Sequence, residues 1–161
     1  MNSECHRIAD QLSRAFAGEA WHGPSLQELL ANVTAEQARI RAMGLAHSVW
    51  ELVLHIEVWV QAAAGAVQGV PMPRIVGSEK DWPQVTDTGE TAWASALRSM
   101  FESATQLTGA IDQFEDARLG ETVPGRQYDF YYLFHGITQH SLYHAGQIAL
   151  LKKVVGSSNK A

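Results

Sequence analysis

A chain of 161 residues can form one domain with its own core, and 46% apolar against 18% charged residues excludes disorder as its general state. A formal charge of -5, a pI near 5.8 and the lack of any Lys/Arg run argue against a nucleic-acid surface and leave small-molecule substrates open. The single cysteine, Cys5, excludes a disulfide framework within the chain. The opening MNSECHRIADQLSRAF is too polar for a signal peptide and Val58 to Val70 is too short to span a bilayer, so no membrane partner is expected and the cytoplasm is the expected compartment.

With no internal repeat or low-complexity linker, one domain is expected over residues 1–156, followed by a flexible tail at 157–161. The first helix is expected from about Ser3 to Ala17, with Ile8, Leu12, Ala15 and Phe16 on one face. Trp21-His22-Gly23-Pro24 breaks it. Ser25 then caps a short helix, SLQELLANV, and Thr34 caps another, TAEQARIRA. Ser48 and Glu51 form a capping box that opens a long helix reaching about Val67. Its buried stripe reads Leu52, His55 or Ile56, Trp59, Ala63 and Val67.

Gly69 to Thr86, with three prolines, is a long connection of the kind that joins parallel neighbours in a bundle, and Trp82 is expected to fold back on the core. Asp87 and Glu90 look like a second capping box at the head of a helix running to about Phe114. After a loop around Pro124 and Gly125, the last helix runs from near Asp129 to about Val155, with Lys152 and Lys153 suited to its C-terminal end and Gly156 to its stop. The fold class is all-α, a four-helix bundle with a long crossover between the second and third long helices.

The histidines carry the chemistry. His6, His22, His47 and His135 lie at a helix end, near loops or near a helix start, where structural or solvent-exposed roles are expected. His140 and His144 are four apart, so both rings lie on one side of a helix, a spacing at which two imidazoles grip one ion. They also fall in phase with Leu133, Ile137, Ile148 and Leu151, the seam where Leu or Ile belongs. His55 interrupts the stripe between Leu52 and Trp59 in the same way. Buried imidazoles are costly without partners, and one divalent metal would satisfy all three. Three ligands leave a coordination position open, as reactive sites do. The competing reading gives each ring a carbonyl or carboxylate partner of its own.

The segment HGITQHSLYHAGQIALLKK resembles the last helix of the DinB-like superfamily, which includes YfiT-like proteins. HSVWELVLHIEVW resembles its second long helix, and WHGPSLQELLANVTAEQA is similar to its N-terminal region. The resemblance implies an up-down-down-up bundle, often a homodimer, with zinc or nickel on the three histidines. It does not fix the activity, because such proteins include S-transferases using low-molecular-weight thiols such as bacillithiol and a mycothiol-dependent isomerase. Their name refers to a stress response, induction by DNA damage, and implies no DNA contact.

A metal-dependent enzyme, such as a thiol S-transferase, is the leading expectation. A metal-dependent hydrolase and a non-enzymatic metal-stapled or dimerisation module are the alternatives, and a nucleic-acid-binding stress protein is the weakest. Glu51, one turn before His55, is a candidate base or fourth ligand as well as a cap. Trp59 is a candidate wall of a cofactor pocket, or core filling. Gln147 either orients His144 from behind or makes a plain interhelical bond.

Overall fold

Six helices form among the described residues: α1 (Glu4–Ala17), α2 (Leu26–Leu30), α3 (Ala35–Ala38), α4 (Val49–Val67), α5 (Glu90–Asp112) and α6 (Phe130–Ser158), with one 3-10 turn at Asp116–Arg118. The computed structural model describes residues 3–42, 44 and 47–158, the last three as backbone only. Among these there is no strand, only two isolated bridges, and no helix is long and apolar enough to cross a membrane.

Caps set the helix starts. The Ser3 hydroxyl accepts from the His6 amide at 3.1 Å and starts α1, which buries Cys5, Ile8, Leu12, Ala15 and Phe16. Cys5 is fully buried, its amide donates to Asp116, and burial together with Asp116 pushes its thiol up to about 12. Both short helices carry complete capping boxes but stop earlier than expected. Asn32, at φ 62°, turns the chain soon after α2, and a nucleus this short gains little from propagation. Trp93 Nε1 donates to the Val33 carbonyl at 2.7 Å and Lys152 Nζ to the carbonyls of Leu29 and Ala31, so this region is tied to α5 and α6. Lys152 therefore serves the end of α2 rather than the end of its own helix, which runs on to Ser158 and leaves both Lys152 and Lys153 outside its last turn.

Ser48 and Glu51 close the expected capping box on α4. The expected Asp87–Glu90 box does not form. Gly89 is the N-cap of α5, Asp87 accepts from the Gly89 amide at 2.8 Å, and Glu90 accepts from the amide of Ala35 on α3. A tertiary partner took the carboxylate that local spacing assigned to the cap. Asp129 does cap α6, accepting from the Tyr132 amide at 2.8 Å. That helix passes Gly156 and reaches Ser158, and positions 159–161 of the expected tail lie outside the described residues.

α1 and α4 each pack against both α5 and α6. α4 thus has core on two sides, which is why His55 and its neighbour Ile56, about 100° apart around the axis, are both buried. Val60 and Ala63 continue that face, while Trp59 and Val67 are only half-buried. Glu57 accepts from Ser99, and Gln61 donates to Ser103 at 3.3 Å, so contacts advance together along α4 and α5. The first turn of α1 meets the turn just after α5, where the Glu4 amide also donates to Asp116.

Replacing Ser48 by Ala should cost about 1 kcal/mol, because the Glu51 amide at the head of α4 loses its hydroxyl acceptor while the Glu51 carboxylate still accepts from the amide at position 48. Urea denaturation would show a lower midpoint with an unchanged slope.

Candidate metal centre

α4 and α6 pack side by side, and the seam of α6 faces α4. His55 projects from the second turn of α4, while His140 and His144 project from successive turns of α6. The three rings meet. His140 Nε2 lies 3.0 Å from His55 Nε2 and 3.1 Å from His144 Nε2, and the three candidate ligand atoms all fall within 4.8 Å of one another. Tetrahedral zinc bound at ordinary Zn–N lengths would place its nitrogens about 3.3 Å apart. His55 and His144 are each 5% exposed and His140 is half-buried.

The far sides of the rings decide what the near sides can do. His55 Nδ1 faces the backbone carbonyl of Asp81 at 2.5 Å, an oxygen that only accepts, so Nδ1 carries the hydrogen and Nε2 a lone pair. His144 Nδ1 donates in the same way to Gln147 Oε1 at 2.8 Å, with the amide oxygen turned inward. Two lone pairs therefore point at His140 Nε2, which can donate to only one of them. An extra proton would relieve the clash, but burial, then the neighbouring His144 and His55, push His140 down to about 3. Burial also holds His55 and His144 below the ordinary imidazole value, against the opposing pull of Asp81 and Gln147. Three neutral rings with converging nitrogens make a donor set that fits a divalent cation.

Of the other expected residues, Gln147 lies against the back of His144, as above. Trp59 sits beside the centre, its ring 5.3 Å from His140 and 6.4 Å from His55, with Nε1 buried and unpartnered among the described residues. Glu51 is engaged elsewhere. It accepts from the Ser48 amide and from Arg41, both at 2.9 Å. Burial opposes its ionisation, but Arg41 and Ser48 hold it below the ordinary carboxylate range.

Sequence reasoning missed three neighbours. Trp82 folds back, as expected, but onto a histidine: its ring stacks on His55 at 4.0 Å and 6°. His47, expected to be structural or exposed, stacks on the opposite face of Trp82 at 3.4 Å and 1°. Asp81 adds a carboxylate oxygen 3.4 Å from His55 Nδ1. The one available signal was an aromatic residue between Asp81 and Pro83 in a polar connection. His6 pairs with Asp112 at 2.7 Å, and His135 packs on Tyr131.

The sequence model of the DinB superfamily matches residues 20–148, a span holding the three histidines, and the chain belongs to that superfamily. No curated protein and no solved structure matches the chain.

The buried rings also make stability depend on pH. An unfolded His140 takes up its proton at the ordinary value of 6.5, and the folded one resists until about 3. Between those values the unfolded chain binds more protons, so stability falls as pH falls through the window and levels off below it. Thermal melts of metal-free protein should show this fall, and His140→Leu should make it shallower.

Proposed function

We propose that this DinB-superfamily chain binds a divalent metal, zinc or nickel, through His55, His140 and His144, and that the centre is that of a metal-dependent enzyme, with a low-molecular-weight-thiol S-transferase as the reading preferred. The observation that carries the metal is the pair of fixed lone pairs on His55 and His144, both aimed at His140 across about 3 Å. The family membership supports it, since the matched span contains all three rings.

A metal held by three imidazoles with a position open lowers the pKa of a thiol or water bound there and makes it nucleophilic near neutral pH. The protein's own part is positional. The Asp81 carbonyl and Gln147 hold two rings by their back nitrogens, so Nε2 is the coordinating atom on each. Trp59 offers an indole N–H without an acceptor among the described residues, beside two of the rings, which suits a wall contacting a thiol cofactor. Glu51 is read here as a cap and ion-pair partner rather than a base, because Ser48 and Arg41 hold its carboxylate.

The reading includes an up-down-down-up bundle, with residues 68–89 crossing between parallel α4 and α5. The advancing Glu57–Ser99 and Gln61–Ser103 contacts support it. A homodimer belongs to the same reading, supported by Tyr132, Tyr143 and Leu150, which share one face of α6 and are each more than 60% exposed. A second reading, a metal that only staples α4 to α6, draws on the 5% exposure of two of the rings.

His140→Ala and His144→Ala should abolish stoichiometric metal in purified protein, while Glu51→Gln should keep it. Parent-like metal content in both histidine variants would refute the ligand set. Incubating the zinc- or nickel-loaded protein with a low-molecular-weight thiol and a generic electrophile should give conjugate at a rate that His140→Ala abolishes. Under the stapling reading, no conjugate forms and chelation unfolds the chain.

A further inference from the structure

We propose that Asp81 and Trp82, on the connection between α4 and α5, are positioning residues of the histidine centre: they clamp His55 by its back nitrogen and its ring face and so set where its Nε2 points. This rests on the metal-binding reading above.

The clamp has three parts. The Asp81 carbonyl lies 2.5 Å from His55 Nδ1, and the Asp81 carboxylate oxygen Oδ1, buried and without a hydrogen bond among the described residues, lies 3.4 Å from the same atom. Its negative charge makes His55 a stronger donor at Nε2. The Trp82 indole covers one face of the imidazole at 4.0 Å, nearly parallel, which resists tilting of the ring. His47 closes the outer face of Trp82 at 3.4 Å, so the three rings form a continuous stack. Trp82 also stands edge-on to His144, with centroids 6.1 Å apart, and so touches a ring from each helix.

The segment presenting these groups is itself folded. Ile75 is 1% exposed and anchors its start. Ser78 Oγ donates to the Ile75 carbonyl at 2.7 Å, the Asp81 amide donates to the Ser78 carbonyl at 3.1 Å, and the Gly77 amide donates to Asp81 Oδ2 at 3.2 Å. A connection that only had to join two helices would not need a turn built around the carboxylate that backs a histidine. Filling space would need neither the parallel stacking nor the charge.

The test compares zinc affinity, by chelator competition, and the visible absorption of the cobalt-loaded protein across the parent, Asp81→Asn, Trp82→Ala, Trp82→Phe and His140→Ala. Asp81→Asn and Trp82→Ala should each weaken zinc by roughly 10- to 100-fold and shift the cobalt band, as expected when support behind a ligand is lost. Trp82→Phe, which keeps an aromatic face, should restore most of the affinity. Circular dichroism of the metal-free proteins separates this from misfolding, and Asp81→Asn, almost unchanged in volume, decides the matter should Trp82→Ala fail to fold. Parent-like affinity and cobalt spectrum in Asp81→Asn and Trp82→Ala, with metal lost only in His140→Ala, would overturn the proposal. Metal retained in His140→Ala would instead defeat the reading of the centre, and the clamp with it.

Discussion

One imidazole nitrogen, on His140, faces two others across about 3 Å in a largely buried part of this protein, and those two are fixed as lone-pair carriers by acceptors at their backs. Left to themselves they repel. The arrangement costs the fold three stripe positions that Leu or Ile would otherwise fill with favourable burial, of order 2 kcal/mol each. A helical protein tolerates such a cost where the polar groups have work to do, and the order of its helices brings the rings together without strain in either helix. α4 and α6 are each capped by a side chain at the start, and each carries its histidines one or more turns inside, where the backbone is fully bonded.

The connection between α4 and α5 shows how the centre and the fold depend on each other. It contributes none of the three histidines, yet it supplies the carbonyl that sets the tautomer of His55 and the ring that covers it. The remainder of the core is conventional packing: α1 supplies Leu12 and Phe16, α5 supplies Met100, Leu107 and Ile111, and α6 supplies Phe134 and Ile148. The polar contacts between α4 and α5, through Glu57 and Gln61, are part-buried at the edge of that core and hold the two helices in register.

Much of this was legible in the amino-acid order because helical periodicity is a local property. The long helices, the Ser48 capping box and the seam phase of His140 and His144 all follow from spacings of three and four residues. What was not legible depends on contacts between distant segments. His47 lies in the loop before α4, as expected, but nothing within a few positions of it shows that Trp82 will arrive on its face. Asp87 and Glu90 had the spacing of a box, but the amide of Ala35, 55 positions away, claimed the glutamate. The buried stripe of α4 came out wider than expected for the same kind of reason, since which sides of a helix are covered depends on how many neighbours it has.

Cys5 has a bearing on the chemistry although it lies far from the histidines in sequence. It is the chain's only sulfhydryl, it is sealed in the core, and both burial and Asp116 keep it protonated up to about 12. Thiolate is the form that attacks electrophiles, so burial and the raised pKa both work against reaction at this residue. Cys5 therefore offers electrophiles little thiolate to attack, and under the thiol-transfer reading the sulfur nucleophile would be a separate molecule.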